Sequence, residues 1–466
     1  MRSGTGRCFR TAILGSLLFG TAEARAQDAR LQGAFTASVG ATDNVLSAAE
    51  PEDEDEGAEQ EGPEADVFGS VSPGLYFRYD TPRTSQTLSY TFTASFYVSH
   101  SEASSYTNTA AWSGRFITSP TTQLSLGATG THGQLNAITR NQAPGQTTLD
   151  PVPSGASTVF LQGGVSQGFS KQLSPALTMA EGASFTVYSP LQVIPARTYN
   201  AAGTLTAQRL WRRDTGTLAL SSAYTHFENV RVGTLEDPLY VERNQLLTSL
   251  VASWQHDYGL HFSSQLDLGV TQATDLSFGY AQLWQPAGLA AVRYTREEGQ
   301  AELAYTHAAQ LNVFLQQLAL VDQVTLRAAL PLSAQLGTEG SVGAQRSQPI
   351  ERGELEDAST VFLADAALLW SPVTVIPDFE LSLRYQHVNQ LAPGGQGATT
   401  HTVTNTVILS VSGAFPRSTE TGTRITMTQP FGTARPAPRR NTGPTPEAEG
   451  EGEGEGAAQP PAGAAP

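Results

Sequence analysis

The residues able to do acid–base or metal chemistry are few and widely spaced in this 466-residue chain. Its eight histidines are His100, His132, His226, His256, His261, His307, His387 and His401. They stand singly. No HExxH pair sets two imidazoles on one helix face for zinc, and no G-x-S-x-G turn exposes a serine nucleophile. Nucleophilic catalysis needs a nucleophile, a base and an orienting group in reach of one another. Such a set can assemble in space on a barrel, but nothing in the spacing points to an enzyme, a metal site or a cofactor. The single cysteine, Cys8, falls in a segment that reads as removed. A mature chain without cysteine has no disulfide scaffold, thiol nucleophile or Cys-ligated metal.

Charge is the second chemistry on offer, and its use depends on which way side chains point. Much of the chain alternates with period two. In Gln86 to Val98, the residues Leu88, Tyr90, Phe92, Ala94, Phe96 and Val98 share one face, while Thr87, Ser89, Thr91, Thr93, Ser95 and Tyr97 share the other. Leu260 to Thr271, Val324 to Leu332, Glu380 to Val388 and Thr402 to Phe415 repeat the pattern. Such alternation is that of strands with one apolar face. By this parity Arg78, Arg115, Arg293, Arg327 and Arg384 share the polar face with Asp267, Glu302 and Asp365. If that face lines a lumen, these eight are the pore-lining candidates. A ring of Arg78, Arg115 and Arg293 near one mouth would then favour anions. The alternative is that the arginines pair with lumen acids.

The elements that must position them are about eighteen strands (16–18) between Arg30 and Phe415, one per roughly 21 residues. Segments 273–285 and 330–345 are ambiguous. Short connections fall at 80–85, 118–121, 170–175, 212–216, 256–259 and 296–300. Longer ones fall at 42–65, 99–106, 132–155, 189–198, 228–243, 309–322, 346–359 and 390–400. Short turns on one side and long loops on the other describe an outer-membrane barrel, with an even strand count placing both ends of the barrel on the periplasmic side. Residues 1–26 read as a secretory signal: Arg2, Arg7 and Arg10, an apolar run over 11–22, then an A-x-A cleavage site at Ala24 and Ala26.

A soluble β-sandwich would also alternate, so composition decides between them. Only 15% of residues are charged, and the polar face is mostly Ser, Thr, Gln, Gly and Asn, which suits a wet lumen. Trp211, Trp254 and Trp370 sit beside expected short turns, Trp112 and Phe116 precede another, and Trp284 lies at the opposite end of its segment. These form an aromatic girdle at each membrane edge. Glu181 falls on the apolar face if the register of 175–187 is uninterrupted, which predicts a bulge or register shift there. Residues 310–321 (QLNVFLQQLALV) are an apolar patch in an outer loop, readable as a plugging helix or as a strand.

Two runs stand apart. Residues 47–66 hold ten acids and no base, and 416–466 include an EGEGEGE run and a Pro/Ala tail. Both are expected to be disordered, the first as an extracellular loop and the second as a periplasmic tail. The net charge of −16 is concentrated there, and the low charge of the remainder speaks against a nucleic-acid partner.

The first 130 mature residues carry Gly40-Ala41-Thr42-Asp43-Asn44-Val45, then Val71-Ser72-Pro73-Gly74-Leu75, Leu88-Ser89-Tyr90 and Leu124-Ser125-Leu126. This order resembles the β-barrel porins found beside exopolysaccharide gene clusters in Gram-negative bacteria. The final alternation of Val407, Leu409, Val411, Gly413 and Phe415 resembles the C-terminal assembly signal of such barrels, here followed by 51 further residues. The resemblance implies a 27–415 barrel in the outer membrane, with lipid and the barrel-assembly machinery as partners. It also implies polysaccharide-export components in the periplasm and polysaccharide export as the function. A general or anion-preferring diffusion porin and a plugged adhesive barrel are the other expectations.

Overall fold

The computed structural model describes residues 28–45, 62–135, 158–191, 197–233, 238–277, 281–296, 299–312, 317–349, 358–372, 379–393 and 399–415. Eighteen antiparallel strands make one sheet. They are β1 (Asp28–Thr42), β2 (Asp66–Asp80), β3 (Thr84–Tyr97), β4 (Ser105–Ser119), β5 (Thr122–Leu135) and β6 (Thr158–Ser174). Then come β7 (Leu177–Pro190), β8 (Thr198–Leu210), β9 (Asp214–Gly233), β10 (Pro238–Asp257), β11 (Phe262–Asp275) and β12 (Ala281–Arg296). The last are β13 (Gly299–Asn312), β14 (Gln317–Pro331), β15 (Leu336–Pro349), β16 (Ser359–Trp370), β17 (Phe379–Pro393) and β18 (Thr399–Phe415). Each strand pairs with its sequence neighbours, and β18 closes on β1 from Gly33↔Phe415 to Thr42↔Thr406. Closure leaves no open edge, which satisfies every ladder hydrogen bond internally.

The alternation sets the two faces. Leu31, Phe35 and Val39 of β1 are exposed, as are Leu75 and Phe77 of β2, Leu88 and Tyr90 of β3 and Leu409 of β18. Their register neighbours share the outer face. The intervening positions point inward. Strand ladders break register between Ile117 and Ser119, Gln172 and Ser174, and Val241 and Arg243.

Three expectations are corrected. The β6–β7 and β7–β8 ladders run without a break through Glu181, which pairs with Phe169 and Leu205. The carboxylate therefore stays on the apolar face, and no bulge turns it inward. The regions 228–243 and 309–322 are largely strand: β9 runs to Gly233, β10 starts at Pro238, β13 ends at Asn312 and β14 starts at Gln317. Alternating β-branched and apolar residues there continue the ladders, so the described ends of 310–321 are strand rather than helix. Residues 62–66 of the acidic run also have defined places, with Asp66 opening β2. The segments 1–26 and 416–466 and the remainder of 47–66 lie outside the described residues.

Burial differs along the axis. Inward residues toward the long-loop end are buried, among them Phe227, Gln245, Gln345, Thr198 and Thr406. Val45, Phe68, Tyr97 and Ala103 form a small core there, with Ile408 packed against it. Inward side chains toward the short-turn end are open to solvent.

Candidate functional site

The inward wall is the surface that can handle solute. Ladder registers place Arg78, Arg115, Asp267, Arg293, Glu302, Arg327, Asp365 and Arg384 on it. Arg293, Glu302, Arg327, Ser341 and Asp365 are successive register partners across β12 to β16. The strand pairing thus brings five sequence-distant positions into one row. Arg293 Nε donates to Glu302 Oε2 at 2.7 Å, Arg384 donates to Glu339 Oε1 at 2.6 Å, and Arg78 pairs with Asp80. Asp267 is held by neutral donors, Ser253 Oγ and, at 2.8 Å, Gln265 Nε2. Asp365 accepts from Ser341 Oγ. Arg115 and Arg327 make no ion pair among the described residues. Opposite this charged arc, the inward positions from Gln123 on β5 to Phe227 on β9 carry only hydroxyl, amide, glycine and apolar groups.

Asp80 and Glu339 pair with two of these arginines and were not among the sequence candidates; nor were Arg30, opposite Arg78 in register, and the inward Glu380. Glu339 lies in the ambiguous 330–345 segment, where parity had no anchor. Asp80 sits at a strand end, where it reads as turn. A fourth pair, Arg243 with Asp275, lies toward the outer end at 3.0 Å with both side chains largely buried.

The outer face explains the histidines. Tyr224 and His226 of β9 converge on Asn244 Oδ1 of β10, at 2.6 and 2.8 Å. Tyr305 and His307 of β13 do the same with Asp322 of β14, at 2.8 and 2.7 Å. Tyr385 and His387 of β17 repeat it with Asn405 of β18, at 2.7 and 2.8 Å. The same Tyr-x-His cluster thus recurs every four strands. His132 of β5, one further step back, packs against the Tyr106 ring. At the short-turn side, Trp254 Nε1 and His256 Nδ1 converge on Asp214 Oδ1, at 3.0 and 2.7 Å. His261 reaches the Thr295 carbonyl and His401 reaches Asn389. These half-polar rings tie neighbouring strands together at the edges of the apolar belt.

The tryptophans are outward too. Trp211 lies over Gly216 with the Arg209 guanidinium 5.3 Å from its ring centre. Trp112 donates to Gln86 from mid-strand, and Phe116 covers Gly114. Trp284 and Trp370 occupy opposite ends of β12 and β16. A closed barrel with an apolar exterior bounded by amphipathic rings is built for the bacterial outer membrane.

His100 stands apart, in the connection between β3 and β4. Its ring bridges Glu64 and Asp66, and its backbone N–H donates to Asp66 Oδ2 at 2.9 Å. Asp66 also accepts from the N–H groups of Val67 and Ser99, and its side chain is 2% exposed. The hydrogen bond to Glu64, followed by that to Asp66, holds the His100 imidazole above its ordinary pKa. This knot fixes the end of the acidic run to the next outer connection. Ala24 and Ala26 lie outside the described residues.

No protein-family model and no curated sequence matches the chain. Among solved structures it is similar to Pseudomonas aeruginosa OccK2 (OpdF) in complex with glucuronate, at 12% identity and TM-score 0.47, over 84% of this chain and 99% of that one. Similarity to the FrpB iron transporter of Neisseria meningitidis is at 9% identity and TM-score 0.45, covering 84% and 82%. For Pseudomonas aeruginosa OpdQ the values are 11% and 0.43, covering 84% and 98%.

Proposed function

We propose that this chain is a passive outer-membrane pore for small hydrophilic solutes. The observation that carries the reading is the inward wall: hydroxyls and amides around a closed 18-strand ring, with charges largely arranged as pairs. Eighteen strands about 4.8 Å apart and tilted about 40° give a backbone diameter of about 36 Å, wide enough to hold water. Paired charges leave little net field, so the pore is expected to discriminate weakly between small cations and anions.

Planar-bilayer recording of the purified chain tests this. Stepwise insertion of ohmic channels with a reversal potential near zero in a KCl gradient is expected, and the absence of conductance across many insertions would overturn it. Polysaccharide export, implied by the family resemblance, draws no support from the charge layout or from the comparisons, and we do not adopt it. Nor does any described cluster of side chains suggest a chemical step.

A further inference from the structure

Glu181 breaks a pattern that most of the barrel keeps. The fifth residue after each short turn points outward, and it is Leu88, Leu126, Leu218, Leu266, Leu303 and Leu383 on six of the eight strands that follow such turns. On β15 it is Gly340, and on β7 it is Glu181. Five residues of tilted strand rise about 13 Å, which is the middle of an apolar band about 25 Å tall. Glu181 therefore sits near the membrane midplane, where it is exposed and has no hydrogen-bond partner among the described residues. Lipid tails offer a carboxylate no donor, so facing lipid costs free energy in either protonation state.

The surface around it is also unusual. Gln167, Ala183, Gly203 and Ser222 are successive register partners across β6 to β9. With Leu205 and Glu181 they border an open groove of about 370 Å³. A Cβ on Gly203 would meet nothing nearer than a carbonyl at 3.9 Å, so nothing within the barrel requires glycine there. Gly69, Gly130 and Gly163 are equally open on the outer face, whereas Gly114 and Gly216 lie under aromatic rings.

We infer that the outer face of β6–β9 is a contact surface between two copies of this chain, related by a two-fold axis along the membrane normal near β7. Membrane insertion fixes each copy's orientation, so a mate presents the same groups at the same depth. Its Gln167 amide supplies a donor that Glu181 lacks, and the relation is reciprocal, as an isologous interface requires. An acyl chain in the groove would leave the carboxylate unpaired. Four strands by the height of the apolar band bury about 500 Å² per copy, near the lower bound for a specific interface. The inference needs the barrel to lie in a membrane and is independent of whether the lumen conducts.

Cysteine cross-linking in isolated outer membranes tests it, in a Cys8→Ser background. Ala183→Cys, in the groove, is expected to give an oxidised species of twice the chain mass. Ala364→Cys, outward on β16 and nine strands away, is expected to give none. Adding Gly203→Leu to Ala183→Cys is expected to lower the dimer at least tenfold. No dimer from Ala183→Cys, equal dimer from both positions, or an adduct of another mass would overturn the inference, as would undiminished dimer in a folded Gly203→Leu chain. Should Gly203→Leu fail to fold, the two single-cysteine chains decide the matter by themselves.

Discussion

Removing Glu302 and Glu339 together should turn a weakly discriminating pore into an anion-selective one. Seven arginines, Arg30, Arg78, Arg115, Arg243, Arg293, Arg327 and Arg384, share the inward face with the carboxylates Asp80, Asp257, Asp267, Asp275, Glu302, Glu339, Asp365 and Glu380. Glu302→Gln with Glu339→Gln moves the lumen charge by two units in the positive direction while preserving side-chain shape. The pairs are half-exposed, Arg293 at 51%, so each contributes at most about 1 kcal/mol and the barrel should still fold. Side chains narrow the ring to a free radius of about 13 Å, and 20 Å of such lumen holds about 10,000 Å³. Two charges in that volume equal a fixed concentration of about 0.3 M, above a 0.01–0.1 M bath. The Debye length at 0.01 M, about 30 Å, exceeds the radius, whereas at 1 M it is about 3 Å. Under a tenfold KCl gradient at low salt, the reversal potential should move toward the chloride limit by more than half of about 59 mV. The shift should shrink steeply when the gradient is centred near 1 M. A low-salt shift below about 5 mV would show that these residues do not face the conduction path, and the lumen assignment would fall.

Other consequences are open to direct measurement. Asp322→Ala removes the shared acceptor of Tyr305 and His307, and should cost about 1–3 kcal/mol in urea unfolding from vesicles; a change under about 0.3 kcal/mol would deny that cluster a structural role. Gly216→Ala drives a Cβ to 2.6 Å from the Trp211 ring and should destabilise the folded barrel by about 1–3 kcal/mol, with Trp211 fluorescence altered; an unchanged melting curve and spectrum would contradict the contact. Leu409→Lys on the closing strand should cost about 2–4 kcal/mol in bilayers, and no loss would mean that this face does not meet lipid. Because the His100 pKa is raised, the knot with Glu64 and Asp66 is fully in force below the ordinary histidine value of about 6.5, and it weakens as pH rises through the raised one. Protease nicking of the acidic run should therefore increase with pH, and His100→Gln should abolish that dependence.

The period-two residues carried most of the fold. A segment such as Gln86 to Val98 states its own two faces, and β-branched and aromatic enrichment settles the rest. Element ends were harder to read. Val230, Val232, Leu239 and Val241 extend β9 and β10 past the belt, where lipid no longer demands alternation. Only the partner strand shows that the ladder continues. The Tyr-x-His clusters were present in the sequence at 224–226, 305–307 and 385–387, yet scattered histidines read as isolated. Each acceptor lies on the following strand, about 15 to 20 residues away, and cross-strand contact needs the register. The expected shift at Glu181 rested on the cost of a carboxylate in lipid. That cost is real, but ladder continuity on both sides of β7 outweighs it within one chain.

The recurrence of one edge cluster on β9–β10, β13–β14 and β17–β18 makes the wall modular. Each module is two hairpins, or four strands, and its seams are chemically alike, so a module could be gained or lost without exposing a new kind of edge. Bore would then change in steps: four strands fewer gives a ring of about 28 Å, and four more about 44 Å. Pore size in such a lineage would evolve by counting hairpins, while the lumen chemistry of each module is tuned separately.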